Sequence, residues 1–256
     1  MTYPTIEMYD ISCTTTRAPW SPFTARTYLA LRVLDMPFHR TMVPMVGIRS
    51  LLSSAGVSPN SDGDLLLPAI TLTSDGTTRW LTESDDIAAH LQELFVAAGN
   101  PVSKSLFPDE DAREAGKAAR KALRESLYSA EHAWKSLIPA VLDILEPESQ
   151  QWFVDTRTKS WGKHPRDILT QDAPLNEERA GGTVQLLANA LRPFSKLYDD
   201  KKLWIGGEDP VYADLIVVAA LQWYSCARPH EFKQAIKITG GGLEKAWIAA
   251  QPLLNE

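Results

Sequence analysis

Cysteine is almost absent: Cys13 and Cys226 are the only two in 256 residues. Two thiols cannot form a disulfide scaffold, so the chain must rest on its core, and a reducing, cytoplasmic compartment is the expected setting. No run of about 18 apolar residues occurs, so no membrane-spanning helix is expected. The start, Met1-Thr2-Tyr3-Pro4, has neither the basic residues nor the apolar stretch of a secretory leader. Positive charge is in deficit. Twenty-six Lys and Arg against 32 Asp and Glu give a formal charge of −6, which argues against a general nucleic-acid or membrane-surface role. The five histidines form no i, i+4 pair, so no metal site is expected. No glycine-rich loop has the spacing that cradles phosphates.

What is present is an ordinary globular composition. A hydrophobic share of 44% supports a full core, in one large domain or two small ones. The first hundred residues alternate strand and helix signals. Strands are expected at 6–11, 38–43, 68–73 and 77–81, with helices at 22–34, at 47–52 and from Ser84 onward. Residues 53–64 read as a loop, and Ser74-Asp75-Gly76 as a hairpin turn. Ala97-Ala98-Gly99-Asn100-Pro101 reads as a linker. Beyond it helical patterns dominate, at 112–134 (with Leu123, Leu127 and Ala130 on one face), 138–145, 148–156, 176–198 and 213–227. The last of these is apolar enough to be a buried central helix. Residues 158–174 are polar and aperiodic and are expected to form a loop. The pair Gly181-Gly182 weakens the 176–198 stretch.

Three local signals point to chemistry. Ser21-Pro22 opens the first helix, with proline suited to the first turn and serine to the cap. A hydroxyl at a helix start either caps the helix alone or also holds an anion, since free N–H groups and the helix dipole converge there. Leu67-Pro68 precedes a strand. Glu83-Ser84 precedes a helix whose first turn carries Asp85 and Asp86, so Ser84 is a cap and a candidate anion site at once.

In this order and spacing, these residues resemble the glutathione transferase superfamily. A fourth stretch, Lys202-Leu203-Trp204-Ile205-Gly206-Gly207 followed by Tyr212-Ala213-Asp214, is similar to the family's entry into its core helix. The resemblance spans essentially the whole chain. It implies an α/β plus all-α architecture: a thioredoxin-like, glutathione-binding domain over 1–98, then an all-helical domain over 102–256 that contributes a second-substrate pocket. Ser21-Pro22-Phe23, Leu29-Ala30-Leu31 and Val43-Pro44-Met45-Val46-Gly47-Ile48 look like the β-etherase branch, which holds lignin-ether-cleaving enzymes and their fungal relatives. One position departs from the family. Val211 stands where a Ser or Thr usually caps the core helix, three residues before Asp214, a loss of about 1 kcal/mol of capping.

The resemblance implies glutathione as cosubstrate and Ser21 as the hydroxyl that stabilises its thiolate, with Thr24 as the second candidate donor. A cis peptide at Leu67-Pro68 would turn the Leu67 backbone toward the cysteinyl part of glutathione. Glu83 and Ser84 would hold the γ-glutamyl end. Arg49 would meet the glycyl carboxylate, or it is a solvated surface residue. Trp20, Phe23, Met45, Tyr128 and Trp134 are candidate walls of the second pocket, or core aromatics and apolar fillers. Cys13 lies on the loop before the helix start and is read as a bystander. The implied reaction is attack of the thiolate on an electrophilic carbon of an aromatic or hydrophobic substrate, by a homodimer. The alternatives are a glutathione-dependent peroxidase or reductase, and a non-catalytic binder or regulatory module that kept the fold.

Overall fold

The computed structural model describes residues 3–129, 132–199 and 201–255. Four strands form one sheet: β1 (Thr5–Ile11), β2 (His39–Val43), β3 (Ala69–Ser74) and β4 (Thr77–Thr82), in the order β2-β1-β3-β4. β1 is parallel to β2 and antiparallel to β3, and β3 is antiparallel to β4. A parallel pair needs a crossover, and α1 (Pro22–Val33) supplies it. The β3–β4 hairpin turns at Asp75 and Gly76, both at positive φ, as the Ser-Asp-Gly signal predicts. A 3-10 turn at Met45–Gly47, α2 (Ile48–Ser54) and α3 (Ser84–Ala97) complete a thioredoxin-like unit.

The remainder is helical. After a 3-10 turn at Val102–Lys104 come α4 (Glu110–Tyr128), α5 (Trp134–Leu137), a 3-10 segment at Pro139–Asp143 and α6 (Pro147–Trp161). Then follow α7 (Pro165–Asp167), a π-helical turn at Ile168–Asp172, α8 (Ala173–Ala180), α9 (Thr183–Ser195), α10 (Tyr212–Ala227), α11 (Pro229–Thr239) and α12 (Gly241–Leu254). The chain is a thioredoxin-like N-terminal domain followed by an all-helical C-terminal domain.

Three stretches differ from expectation. Residues 158–174 are not a loop. α6 runs on to Trp161 and stops at the left-handed Gly162; the imidazole of His164 then accepts the Arg166 N–H and starts α7. Short helices joined by a π-turn carry no long 3.6-residue repeat, so periodicity misses them. The 176–198 stretch is two helices, because Gly181 and Gly182 sit at φ +91° and +111°, where the chain leaves helical geometry. The 112–134 stretch ends at Tyr128. Its inner face is built of Ala112, Gly116, Ala119, Ala122, Ser126 and Leu127, whereas Leu123 is half-buried; Ala130 lies outside the described residues.

α10 is the centre of the molecule, buried from Tyr212 through Tyr224 and packed against α1 and α4. A helix buried at its N-terminus has N–H groups that water cannot reach, so they need internal acceptors. Val211 has no side-chain acceptor, and its backbone carbonyl takes the Asp214 N–H at 2.9 Å instead. The Asp214 carboxylate reaches back to accept from the N–H groups of Ile205 (2.8 Å), Val211 (3.0 Å) and Gly206 (3.4 Å). It thereby ties the Trp204–Gly207 turn to the helix start. A side chain at Gly206 would not fit, since a Cβ there would lie 2.6 Å from Val211 Cγ1.

Burial pushes the Asp214 carboxyl up to about 6, with the three N–H donors pulling the other way. Asp214→Ala leaves the buried Val211 N–H and the part-buried Ile205 and Gly206 N–H groups without their acceptor, and is expected to cost about 1–3 kcal/mol in denaturant unfolding. A folded-state value above the unfolded one means this group favours the fold below pH 4. That contribution is lost as pH rises through 6. The stability of the protein relative to Asp214→Asn, measured by urea unfolding, should therefore fall between pH 4 and pH 7, by up to about 3 kcal/mol.

Candidate functional site

Strand order and direction gather the marked residues at one end of the sheet. Tyr9 of β1 faces Ala69 of β3, which faces Thr82 of β4. The C-terminal end of β1, the start of β3 and the end of β4 therefore lie side by side. Ser21 follows from the first, Leu67-Pro68 leads into the second, and Glu83-Ser84 continues the third.

Ser21 caps α1 with extended backbone, and only 5% of it is exposed. Its Oγ accepts the Phe23 N–H at a long 3.4 Å, and its carbonyl takes the Ala25 N–H at 2.9 Å. The Ser21 hydroxyl proton has no acceptor among the described residues. Thr24 is fully buried one turn on and donates its hydroxyl to the Ser21 carbonyl, so it braces the cap from inside.

The Leu67-Pro68 peptide is cis. Beyond β4, Glu83 has φ +66°, a left-handed value that a side chain adopts at a cost on the order of 1–3 kcal/mol. Nothing in the local sequence signals it; glycine is the usual residue for such a φ. The kink swings the chain directly from β4 into α3 and leaves the buried Ser84 at the helix start. A cavity of about 120 Å³ opens here, lined by Asp64, Leu65, Leu66, Thr82 and Glu83 among others. Arg49 instead pairs with Asp64 at 3.9 Å and with the Gly63 carbonyl at 3.4 Å, out in solvent.

The apolar candidates separate. Trp20 is 4% exposed and its indole N–H donates to the Ile11 carbonyl at 2.9 Å, so it is a strut of the loop before Ser21 rather than a wall. Phe23 is 50% exposed beside Ser21, with the Arg26 guanidinium over its ring at 4.9 Å. Met45 is half-buried and donates its N–H to Ser149 Oγ of α6 at 3.0 Å, an interdomain bond. Tyr128 is exposed at the end of α4. Trp134 packs on Trp161 at 5.5 Å, with Lys135 over its ring. Cys13 is half-buried and donates to the Thr16 carbonyl at 3.4 Å. Among the described residues no three of His, Cys, Asp and Glu converge as metal ligands.

Two charge groups were not anticipated. Asp10, fully buried in β1, is bound by Arg40 of β2 through Nε at 3.0 Å and Nη2 at 2.5 Å. Arg40 also donates to the Arg17 carbonyl and so fastens the loop that leads to Ser21. The signal was an acid inside an apolar strand, which can be buried only with a partner. The second group lies behind Ser84. The Tyr212 hydroxyl donates to Asp85 at 2.7 Å, and Arg120 of α4 meets the same carboxylate at 3.1 Å. Arg26 of α1 stands beside them, 4% exposed with its Nε unpaired among the described residues. Burial lowers its affinity for the proton, and Tyr212 and Asp85 only partly oppose this. Burial, and next the Asp85 charge, raise the Tyr212 phenol well above its usual value. Arg40→Ala would leave Asp10 as an unpaired buried charge; a loss of about 3–5 kcal/mol in denaturant unfolding is expected.

Comparison with known proteins agrees with this fold. Residues 117–251 match the family described as glutathione S-transferase, C-terminal domain. A curated relative, the glutathione S-transferase-like protein ustS of Aspergillus flavus, is 26% identical over 96% of this chain and 89% of its own length. Among solved structures, a glutathione S-transferase of Ceriporiopsis subvermispora in complex with glutathione superposes with a TM-score of 0.79 at 25% identity, over 98% of both chains. Glutathione transferase GSTFuA3 of Phanerochaete chrysosporium gives 0.77 at 21% identity, over 100% of this chain and 99% of its own, a likeness of fold.

Proposed function

Because the chain belongs to the glutathione S-transferase family, we propose that it binds glutathione across the end of its sheet and uses the thiolate as a nucleophile. The observation that carries this reading is the convergence of three features at one sheet end: the Ser21 cap of α1, the cis Leu67-Pro68 peptide, and the strained Glu83 leading into Ser84 and α3. A relative of known structure was solved with glutathione bound. Residues 1–98 hold the tripeptide in this reading, and 102–256 supply the acceptor pocket.

The chemistry follows from these groups. A free thiol has a pKa of about 8.5. Lowering it by about two units takes roughly 3 kcal/mol of preferential stabilisation of the thiolate. One hydroxyl donated to an anion contributes about 1.5–3 kcal/mol, and a helix N-terminus adds about 0.3–1 kcal/mol. Ser21, with its proton uncommitted at the start of α1, supplies both. The Leu67 backbone pairs with the cysteinyl peptide as an added strand would. Glu83 accepts from the γ-glutamyl ammonium, and Ser84 with the first N–H groups of α3 takes the α-carboxylate.

The thiolate then forms a sulfur–carbon bond while the bond to the leaving group breaks. The Ser21-Pro22-Phe23 and Val43–Ile48 stretches favour an aryl-ether acceptor, with aryloxide leaving and taking a proton from water. Phe23, Met45, Tyr128 and Trp134 are proposed to face the acceptor. Assembly as a homodimer is proposed on the resemblance.

Calorimetric titration with glutathione tests the reading. Binding in the micromolar to millimolar range is expected, and Glu83→Ala should weaken it at least tenfold. Ser21→Ala should bind glutathione within about twofold of the parent yet lose about 10- to 100-fold in kcat/KM. Its rate should rise at higher pH as the bound thiol ionises later. Absence of binding by the unsubstituted protein would overturn the reading in favour of a scaffold or a binder of another ligand.

A further inference from the structure

Three acidic residues crowd the start of α3: Glu83, Asp85 and Asp86. With no ligand bound they suit the positive end of the helix dipole. They do not suit a bound anion, because like charges at one helix start repel. Glu83 makes no side-chain cap, so the first N–H groups of α3 are left for another acceptor. A ligand carboxylate can take that place only where the acids around it are offset.

At Asp85 the offset comes from the helical domain, which holds both carboxylate oxygens. Oδ1 accepts from the Tyr212 hydroxyl of α10 at 2.7 Å, and Oδ2 accepts from Arg120 of α4 at 3.1 Å. Arg26 of α1 is buried beside the same phenol, with its Nε unpaired among the described residues. Two guanidinium groups therefore stand against one carboxylate, an excess of positive charge at the junction of α1, α3, α4 and α10. A buried cation with so little compensation is costly, and a second anion at the start of α3 would relieve it.

We infer that Arg120 and Tyr212 are positioning residues of the helical domain that make the acidic start of α3 receptive to the α-carboxylate of glutathione. The inference rests on the transferase reading. Neither residue touches the ligand. Both act through Asp85, fixing its carboxylate against α4 and α10 and offsetting its charge. The ligand then meets Ser84 and the free N–H groups without an uncompensated acid beside them. The Asp85 and Arg120 side chains are 47% and 41% exposed, so the effect is several-fold and shrinks as salt rises.

The test is a charge-rescue series: Arg120→Gln, Tyr212→Phe, and each combined with Asp85→Asn, with thermal melts to check that all fold. Arg120→Gln is expected to weaken glutathione about three- to tenfold in calorimetric titration. The change should fall on KM for glutathione, with kcat level at saturation. Tyr212→Phe should act in the same direction. Adding Asp85→Asn to either should return binding to within about twofold of the parent, because the amide leaves no charge to offset. γ-Aminobutyryl-cysteinylglycine is glutathione without the α-carboxylate, and its affinity should not differ between the parent and Arg120→Gln. No loss in Arg120→Gln, a loss that Asp85→Asn leaves in place, or an equal loss for the analogue would overturn the proposal and leave the cluster a contact of the fold alone. Failure of the parent to bind glutathione would instead remove the transferase reading, and this proposal with it.

Discussion

The buried start of α10 constrains nearly everything around it. A helix with thirteen consecutive residues out of water, Tyr212 to Tyr224, cannot leave its first N–H groups to solvent. Asp214 answers that need by accepting from the Val211 N–H while its own N–H goes to the Val211 carbonyl, and the same carboxylate also takes the Ile205 and Gly206 N–H groups of the preceding turn. The same helix start binds the rest of the molecule. The Tyr212 N–H donates to the Leu106 carbonyl at 2.9 Å, and the Tyr212 hydroxyl reaches Asp85 at the head of α3. Further along, the Tyr224 and Ser126 hydroxyls join α10 to α4 at 2.7 Å. Of these bonds, Tyr212 to Asp85 is the one that keys the helical domain to the thioredoxin-like domain, and the other two hold α10 within the helical domain.

The candidate site inherits its rigidity from this arrangement. Its residues lie on segments that enter or leave the sheet, and each segment is held by something buried. Trp20 and the Asp10–Arg40 pair hold the loop before Ser21. The β3–β4 ladder holds Glu83 in a backbone conformation that a side chain would not choose alone. The Asp85, Tyr212 and Arg120 contacts fix the first turn of α3. In the proposed reaction, pre-set geometry of this kind would let a hydroxyl and a helix dipole act on a thiolate without reorganising.

Side chains of one type take different roles across the molecule. α6 presents a mixed stripe in which a serine anchors, two aromatics pack and an arginine lies over one of the rings with no ion pair among the described residues. Phe23 and Tyr128 are apolar and open to solvent, whereas Trp20, nominally of the same type, is wholly committed to structure. Aromatic identity therefore says little about which ring meets a ligand; burial and hydrogen bonding separate them.

Much of the N-terminal domain was legible in the chain, because strands and helices there have clear periods and are bounded by Pro, Gly and Ser. Ser21-Pro22, Leu67-Pro68 and Glu83-Ser84 each carry local chemistry that places a cap, a strand start and a helix start. The apolar 213–227 stretch likewise showed that one helix must be central. Residues 158–174 were not legible, since a π-turn between two short helices has no repeat to detect. Nor was the pairing of Asp10 with Arg40, thirty positions apart, or of Tyr212 with Asp85, 127 apart. The positive φ of Glu83 and the fate of Trp20 were decided by neighbours brought from elsewhere in the chain. Sequence by itself determined the elements and the capping chemistry, because those depend on residues within a turn or two. Only tertiary structure decided which charges are neutralised, which backbone is strained and which aromatic rings are free, because these depend on desolvation by distant segments.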